Sequence, residues 1–323
     1  MFDLISIGDS TIDVFLELTE AEVNCEIDPN ECKLVLDYAD KIPVNKVTRV
    51  AAVGNAANNA IGSARLGLKT ALYTLVGEDR DGEEMRKIFE QEKVADDYII
   101  TDKGKRSNFS AVINFKGERT ILVYHEDREY SLPQLGSTKW VYFTSIGKGH
   151  EKLHSQIPDY IKKSGAKLAF QPGSHQIREG KEKMKSLLKA AEMIIVNKRE
   201  AEEILDKPGE VKELLRRVAE LGPKIVVITD GKDGSWTYDG KVIRFAGVFP
   251  ESEVVERTGA GDAYSTGFLA GLVSGVGVAE AMRWGSANGS SVVEHIGARE
   301  GLLTYEGMKK RLEGCPECKV VEK

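Results

Sequence analysis

The chain has 323 residues, a formal net charge of −6 and 41% hydrophobic residues, enough apolar material for a sizeable core. The acidic balance, without a basic stripe interleaved with aromatics, argues against a nucleic-acid partner. No apolar run approaches the ~18 residues that cross a bilayer, and the run Met1–Gly8 carries an acid and no basic leader. We therefore expect a cytoplasmic protein without a membrane segment, forming one domain over residues 1–323.

Short β-rich runs alternate with longer helical patterns, which is typical of an α/β fold with a mostly parallel sheet and helices on both faces. The predicted strands are Leu4–Gly8, Thr70–Val76, Trp140–Thr144, Lys167–Phe170, Met193–Val196 and Ile225–Thr229. The predicted helices are Asn55–Leu66, 82–92, 151–164, 179–190, 198–205, 210–221 and most of the chain from Gly261 onwards. An Asp-Gly turn at 239–240 predicts a hairpin of Ser235–Tyr238 and Lys241–Phe245.

Two segments interrupt this alternation. Residues 14–50 form a long polar excursion after the first strand, and Phe109–Phe115 with Thr120–Tyr124 reads as a hairpin within 107–124. Long insertions in a compact α/β domain are more often functional than idle. Both segments are therefore expected to build a small β-rich lid beside the sheet.

The first strand runs into Gly8-Asp9-Ser10-Thr11-Ile12-Asp13. Ligands of open α/β sheets bind at such strand ends, where Asp13 is suited to accept protons from two hydroxyls of a polyol. A solvated turn residue is the alternative for either Asp9 or Asp13.

A run of small residues, Val53-Gly54-Asn55-Ala56-Ala57-Asn58, stands at a strand-to-helix turn. Gly54 allows close approach by a ligand, and the Asn58 amide can both donate to and accept from a sugar hydroxyl. A helix start capped by asparagine explains the same pattern.

Two later strand ends also carry polar groups. After Met193–Val196, Asn197 and Glu200 have a spacing that suits either a hydrated magnesium ion or a helix capping box. After Ile225–Ile228, the pattern Thr229-x-Gly231-x-x-Gly234 offers a hydroxyl and flexible backbone amides to a phosphate chain, and a tight turn is its alternative.

The most informative motif is Thr258-Gly259-Ala260-Gly261-Asp262, followed at once by a helical run. Gly259 and Gly261 free the backbone to turn its N–H groups toward an anion, and the helix start adds unpaired donors and the positive end of its dipole. Asp262 stands beside this anion hole, where a carboxylate can take the proton of a substrate hydroxyl. A capped helix with an incidental acid is the alternative.

Four cysteines, Cys25, Cys32, Cys315 and Cys318, are too few for a disulfide scaffold in a chain of this length. Cys315-Pro316-Glu317-Cys318 has the spacing of half a zinc knuckle, but Cys25 and Cys32 make a poor second half without an adjacent histidine. Surface thiols are expected at these positions.

The order of these motifs along the chain resembles the ribokinase-like (PfkB) carbohydrate kinase family over almost the whole sequence. The stretches around Gly54–Asn58 and Thr258–Asp262 match its two signature regions, and Ser63-Ala64-Arg65-Leu66-Gly67 continues the first match. The resemblance implies a three-layer αβα fold with a mostly parallel central sheet and a β-lid over the sugar site. It also implies ATP-dependent transfer of the γ-phosphoryl group to a hydroxyl of a small sugar.

The resemblance assigns roles by position. Asp262 becomes the general base, and Gly259, Ala260 and Gly261 become the anion hole for the moving phosphoryl group. The remaining roles concern the two substrates and the metal: Asp13, Gly54 and Asn58 contact the sugar; Asn197, Thr229, Gly231, Gly234 and Asn288 contact ATP; Glu200 holds Mg²⁺ through water. A homodimer formed through the lid is also expected.

The sequence departs from the family pattern at three places. Val53 replaces the first glycine of a pair, and Gln171 stands where Asn or Asp is frequent. Glu256 and Arg257 precede Thr258 where an Asp-Thr pair commonly helps to hold a monovalent cation. We therefore expect weak potassium dependence.

Two rival functions remain at this point. A nucleoside kinase has the same fold and the same residues, and the lid sequences carry no clear stacking signature that separates it from a sugar kinase. A non-catalytic sugar or nucleotide sensor is the other alternative, and the retained Asp262 argues against it.

Overall fold

The computed structural model describes residues 1–25, 32–116, 118–251 and 254–323. In chain order the strands are β1 (Phe2–Ile7), β2 (Thr11–Leu18), β3 (Glu22–Asn24), β4 (Lys33–Val35), β5 (Val44–Val53), β6 (Thr70–Gly77), β7 (Ile99–Asp102), β8 (Asn108–Phe115), β9 (Glu118–Tyr124), β10 (Thr138–Phe143), β11 (Lys167–Phe170), β12 (Ala191–Asn197), β13 (Ile225–Thr229), β14 (Ser235–Tyr238), β15 (Ile243–Ala246) and β16 (Val321–Glu322). The helices are α1 (Asn55–Arg65), α2 (Arg80–Gln91), α3 (Glu151–Ser164), α4 (Ser174–Arg178), α5 (Lys181–Ala190), α6 (Lys198–Leu205), α7 (Val211–Ala219), α8 (Ala260–Val273), α9 (Val278–Val292) and α10 (Tyr305–Glu313).

The central sheet runs in the order β16-β15-β14-β13-β12-β11-β10-β1-β6-β7. The strands from β13 to β7 pair in parallel, while β14, β15 and β16 add an antiparallel edge. The carboxyl ends of β1, β10, β11, β12 and β13 therefore meet at one edge of the sheet. The mostly parallel sheet expected from the alternating sequence pattern is confirmed.

Successive side chains of the sheet enter two different cores, because they point to opposite faces of a strand. On β10, for example, Val141 and Phe143 pack in one core with α3, α5 and α7, whereas Tyr142 packs in the other with α8 and α9. A further cluster beneath α1 and α2 covers the same side of the sheet around Leu72 and Val76. Both faces are thus covered by helices, which gives the predicted three layers.

A separate sheet in the order β5-β2-β8-β9 stands beside the central one. Strand β2 pairs in parallel with β8, and the hairpin of β8 and β9 matches the one predicted within 107–124. Strands from both predicted lid segments thus share this sheet, which begins at Thr11, while β3 and β4 pair with each other in a separate two-stranded sheet. Its strand β9 forms the outer edge and is exposed along its length.

The structure differs from the expectations above in two details. The helix expected over 179–190 is present as α5 but begins at Lys181, after Gly180 with a φ of 90°, and the short helix α4 before it was not predicted. The expected surface thiols were wrong, because Cys25–Cys32 and Cys315–Cys318 form disulfides. The two cysteines are 7 residues apart in the first disulfide and 3 residues apart in the second, and Cys315 is buried. Among the described residues, no helix is long and apolar enough to span a membrane.

Candidate active site

The glycine-rich turn at Thr258–Asp262 leads directly into α8. Gly259 precedes the first helical residue with a φ of 81°, and a Cβ built there would lie 2.2 Å from the Cβ of Ala298. Only glycine fits this backbone, since both the left-handed conformation and the contact exclude a side chain. The turn leads into a helix start whose first N–H groups have no acceptor within the helix and attract anions, although the Ala260 N–H donates to the Arg257 carbonyl oxygen at 3.4 Å.

Asp262 lies in the first turn of α8, and Asn58 in α1 holds its carboxylate. The Asn58 Nδ2 donates to Asp262 Oδ2 at 2.9 Å, and the Asn58 side chain is almost fully buried. Burial raises the pKa of Asp262 to about 6, while hydrogen bonds from Asn58 and Gln171 act in the opposite direction. A carboxyl with this pKa is ionised at neutral pH yet accepts a proton readily, which suits a general base.

Gln171 follows β11 and supports Asp262 from another side. Its Oε1 accepts a hydrogen bond from the buried Tyr142 hydroxyl at 2.9 Å, which leaves its amide nitrogen to donate to Asp262. The sequence analysis identified Gln171 only as a departure that alters the sugar pocket. The structure places it against the carboxylate of the candidate base.

Asp13 on the lid strand β2 faces the same region. Burial raises the pKa of Asp13 to about 6, a hydrogen bond with Ser110 lowers it, and the charges of Asp262 and Glu256 raise it further. Gly54 ends the turn into α1 with a φ of 104°, and a Cβ there would lie 2.8 Å from the carbonyl oxygen of Asp9. Asn58 thus contacts Asp262 directly, Asp13 lies near enough for the charge of Asp262 to act on it, and Gly54 starts the helix that carries Asn58.

Asp9, the other acid of the first motif, is buried and has its own partners. Its carboxylate accepts from the Tyr130 hydroxyl at 2.8 Å and from the Gly147 amide at 2.7 Å. Asp9 is therefore not a solvated turn residue, and the charge of Asp262 acts on the partly buried carboxyl of Asp13.

Asn197 and Glu200 form the capping box that one reading of the sequence predicted. Asn197 Oδ1 accepts from the Glu200 amide, and Glu200 Oε2 accepts from the Asn197 amide, both at 2.8 Å. Glu200 also faces Asp262: burial raises the pKa of Glu200 to about 7, and the charge of Asp262 contributes. The cap orients this carboxylate toward the reaction centre, so the two readings of the motif are compatible.

A polar cavity lies between Asp262, Gln171, Asn197 and Glu200. Besides Asp262, its lining combines acidic, amide and cationic side chains with the backbone of the glycine turn: Asn55, Arg119, Gln171, Asn197, Glu200, Thr229, Arg257, Gly259, Gly261 and Ser265. Arg119 comes from the lid strand β9, and Arg257 comes from the segment just before the turn. Two guanidinium groups thus face a cavity that also holds acids, as charge neutralisation of a phosphoryl group requires.

A neighbouring cleft of about 290 Å³ continues from this cavity through shared residues Thr229, Arg257 and Gly261. Its walls include the Thr229–Gly234 loop, the start of α8 and part of α9: Gly231, Lys232, Gly234, Ala260, Tyr264, Ser286, Gly289 and Ser290. Flexible backbone, a helix start and a lysine in one elongated cleft suit a nucleotide with its phosphates toward Asp262.

Asn288 does not line this cleft. Its side chain is fully buried between α8 and the segment after α9, donating to the Ala263 carbonyl at 2.7 Å and accepting from the Leu303 amide at 2.9 Å. Both ends of the amide are thus occupied within the protein. The neighbouring Ser286 and Gly289 face the cleft in its place.

Glu256 stabilises the glycine-rich turn through hydrogen bonds. Its Oε1 accepts from the amide and the hydroxyl of Thr258, and its Oε2 accepts from the Gly297 amide at 3.3 Å. The Arg119 guanidinium of the lid lies 3.8 Å from the same carboxylate. The lid and the turn are therefore linked through one acidic side chain.

Arg119 and Gln171 are the residues that motif reasoning missed. Each reaches the site only because a distant strand folds over it, and neither belongs to a local pattern around a turn or helix start. The departure from Asn or Asp at position 171 was the one sequence signal that drew attention to either residue.

Comparison with known proteins agrees with this geometry. The profile of the pfkB family carbohydrate kinases matches residues 21–304. The chain belongs to the pfkB carbohydrate kinase family. An "uncharacterized sugar kinase" of Archaeoglobus fulgidus is 31% identical over 251 residues, which cover 75% of this chain and 98% of that protein.

Other pfkB relatives match more of the chain. A nucleoside kinase of Methanothermobacter thermautotrophicus is 25% identical over 316 residues, covering 95% of both chains. The ribokinase of Arabidopsis thaliana, solved with ribose and ATP, superposes with a TM-score of 0.81 at 20% identity, covering 97% of this chain and 99% of its own. The ribokinase-like fold is therefore confirmed, and so is the expected class of phosphotransferase with an alcohol acceptor.

Proposed function

We propose that this pfkB kinase transfers the γ-phosphoryl group of ATP to a hydroxyl of a small sugar, with Asp262 as general base. The observation that carries the proposal is the buried contact between Asn58 and Asp262 at the start of α8. It sets a carboxylate with a pKa of about 6 beside free backbone donors, in a cavity continuous with a nucleotide-sized cleft. These groups are the ones needed to remove a hydroxyl proton while the attacked phosphate is held.

In the proposed reaction the sugar hydroxyl gives its proton to Asp262 as its oxygen attacks the γ-phosphorus, and the bond from phosphorus to the leaving ADP breaks. Gly259, Ala260 and Gly261 hold the transferred group through backbone donors. Arg257 and Arg119, which line the same cavity, balance the charge of its oxygens.

The sugar is proposed to bind against Asp13, Gly54 and Asn58. The Asn58 Oδ1 is buried and, among the described residues, has no hydrogen-bond partner, so it is free to accept from a substrate hydroxyl. Asp13 comes from the lid strand β2, which would close the sugar off from water. This arrangement supports a polyol as the acceptor.

ATP is proposed to occupy the cleft beside Thr229, Gly231 and Gly234. Mg²⁺ prefers oxygen ligands and retains several waters, which fits Glu200, because the capping box uses its Oε2 and not its Oε1. Asn197 has a single side-chain oxygen, which accepts from the Glu200 amide, so this oxygen would meet the metal or the phosphates through water. When bound, the ion would neutralise phosphate charge. Burial raises the pKa of Glu200 to about 7, and a bound cation would stabilise its ionised form.

A coupled assay of ADP release tests the function and separates sugars from nucleosides. We expect turnover with a small sugar and much weaker turnover with nucleosides. Efficient turnover of nucleosides alone would establish the alternative that the Methanothermobacter thermautotrophicus relative represents. Tight ligand binding without ATP turnover for any acceptor would establish the sensor function.

We propose that the protein forms a homodimer through the lid, with the outer strand β9 at the interface. Leu122 and Val123 are 57% and 56% exposed, next to Ile121 and Tyr124 on the same unpaired edge. Exposed apolar edge strands favour pairing with a second copy. Light scattering should show a dimer for the wild type and a monomer for Val123→Lys; a monomeric wild type would contradict the proposal.

A further inference from the structure

A cluster of two histidines and a glutamate lies outside the proposed kinase site. His150 precedes the first residue of α3, His175 lies in α4, and Glu179 follows α4. One ligand atom from each of the three side chains lies within 4.8 Å of the others. Imidazole nitrogens and a carboxylate are the donor set that Zn²⁺ and similar transition metals favour.

The hydrogen bonds of His150 leave one ring nitrogen directed at the cluster. Its Nδ1 lies 2.7 Å from the carbonyl oxygen of Gly147, and since a carbonyl can only accept, Nδ1 carries the hydrogen. The Nε2 lies 3.1 Å from Glu179 Oε2, and the imidazole is fully buried. Two acceptors facing each other require a proton or a metal ion between them.

His175 adds a second nitrogen in the same place. Its Nδ1 is buried and, within the described part of the chain, has no hydrogen-bond partner. Glu179 Oε1 lies 3.8 Å from this nitrogen, which is too long for a hydrogen bond. A buried nitrogen without a partner is costly, and a bound metal ion would satisfy it.

His154, whose ring stands 4.4 Å from that of His150, does not join the set. Gln176 occupies its Nε2 at 3.1 Å, because the oxygen of that amide accepts from the Gly173 backbone and its nitrogen must donate. Burial lowers the pKa of His154 to about 4, so it packs as a neutral ring against Phe143.

We propose that His150 Nε2, His175 Nδ1 and Glu179 bind one Zn²⁺ or similar transition-metal ion, with a water as fourth ligand. Tetrahedral ligands at about 2.0–2.1 Å from zinc lie roughly 3.4 Å apart, so a small contraction of the partly exposed His175 and Glu179 closes the site. The Gly147 carbonyl fixes the tautomer and orientation of His150, as a second layer of hydrogen bonds does around metal-bound histidines.

The site would fasten the loop between β10 and α3 to the end of α4. Gly147 in this loop donates to the buried Asp9 at the edge of the sheet. Metal binding is therefore expected to stabilise the fold, independently of the Mg²⁺ and ATP used in the proposed reaction.

The test is a titration of the full chain, stripped of metal, with Zn²⁺ and with Co²⁺ in excess Mg²⁺ and without nucleotide. Excess Mg²⁺ occupies oxygen-only sites but competes weakly for imidazole. We expect one Zn²⁺ per chain by calorimetry, a visible Co²⁺ absorption band typical of tetrahedral nitrogen and oxygen ligands, and a higher melting temperature with Zn²⁺.

His175→Ala and Glu179→Gln are the decisive variants, because both side chains are partly exposed and tolerate change better than buried His150. Each should weaken Zn²⁺ binding by about 10- to 100-fold or more and remove the gain in melting temperature. His295→Ala, at a histidine three residues after α9, is the matched control and should bind Zn²⁺ as the wild type does. Wild-type Zn²⁺ affinity in either decisive variant, or no binding to the wild type, would overturn the proposal.

Discussion

Asn58 and Asp262 stand 204 positions apart in the chain, and their side chains meet at 2.9 Å. Each lies in the first turn of its helix next to a run of small residues, and α1 and α8 pack against each other directly. The contact joins the two signature regions of the family into one site. It also makes the protonation of Asp262 depend on a residue of α1, because the amide stabilises the ionised form.

Asp262→Asn should lower the rate by about 10²- to 10⁴-fold, because a positioned general base contributes that much. ATP affinity should stay nearly unchanged, since the nucleotide cleft lies to one side of the carboxylate. Steady-state kinetics and nucleotide binding by calorimetry measure the two effects. Asp159→Asn, at an exposed position on α3, is the matched control; near wild-type activity in Asp262→Asn would remove this residue from the proposed role.

Activity should fall as the pH drops through about 6, because Asp262 must be ionised to accept a proton. Gln171→Met removes a hydrogen bond that lowers the pKa of Asp262, so the acidic limb of kcat/KM should move to higher pH. Gln91→Met makes the same substitution at an exposed site on α2 and should leave the profile in place. An unshifted limb in Gln171→Met would show that Gln171 does not position the base.

The same carboxyl should reduce stability at neutral pH. Folding raises the pKa of Asp262 from 3.8 to about 6, so its contribution favours the fold below pH 4 and is lost as the pH rises through 6. Asp262→Asn should therefore melt higher than the wild type at pH 8, by about 2–6 °C, while the two curves converge near pH 4. A difference independent of pH, measured by calorimetry, would contradict this account.

Potassium should have little effect on the rate. The Glu256 carboxylate is already bound by the Thr258 amide at 2.7 Å and the Gly297 amide at 3.3 Å, and Arg119 supplies a positive charge beside it. The Arg119 guanidinium thus lies next to the loop that a monovalent ion commonly supports in the family that the sequence resembles. Rates in potassium and in tetramethylammonium buffers measure the effect, and a many-fold rise with potassium would contradict it.

The sequence predicted the parts of this site that are local. Gly259 and Asp262 lie within one turn of each other, where glycine spacing and a helix start predict an anion hole without any tertiary information. Arg119 and Gln171 escaped because their roles depend on which strand passes over the cavity. Asn288 depends on tertiary packing as well: its amide bonds the Ala263 carbonyl and the Leu303 amide within the protein, which the sequence pattern does not record.

Arg119 gives the last prediction, since it comes from the lid and lines the cavity of Asp262. A hydrogen bond to a charged group contributes about 1.5–3 kcal/mol, so Arg119→Ala should lower kcat by roughly 10- to 100-fold. Arg119→Lys should restore part of the loss, because charge remains without the planar fork. Glu118→Gln, the neighbouring exposed position in the same hairpin, is the control.

A double-mutant cycle separates two possible actions of Arg119. If it serves only to hold the lid against Glu256, then Glu256→Gln should cost as much as Arg119→Ala, and the double variant should cost no more than either. If Arg119 also acts on the transferred phosphoryl group, Arg119→Ala should cost further activity in the Glu256→Gln background. We expect the second result, because the guanidinium lies at 3.8 Å from Glu256, beyond a direct hydrogen bond, and lines the reaction cavity.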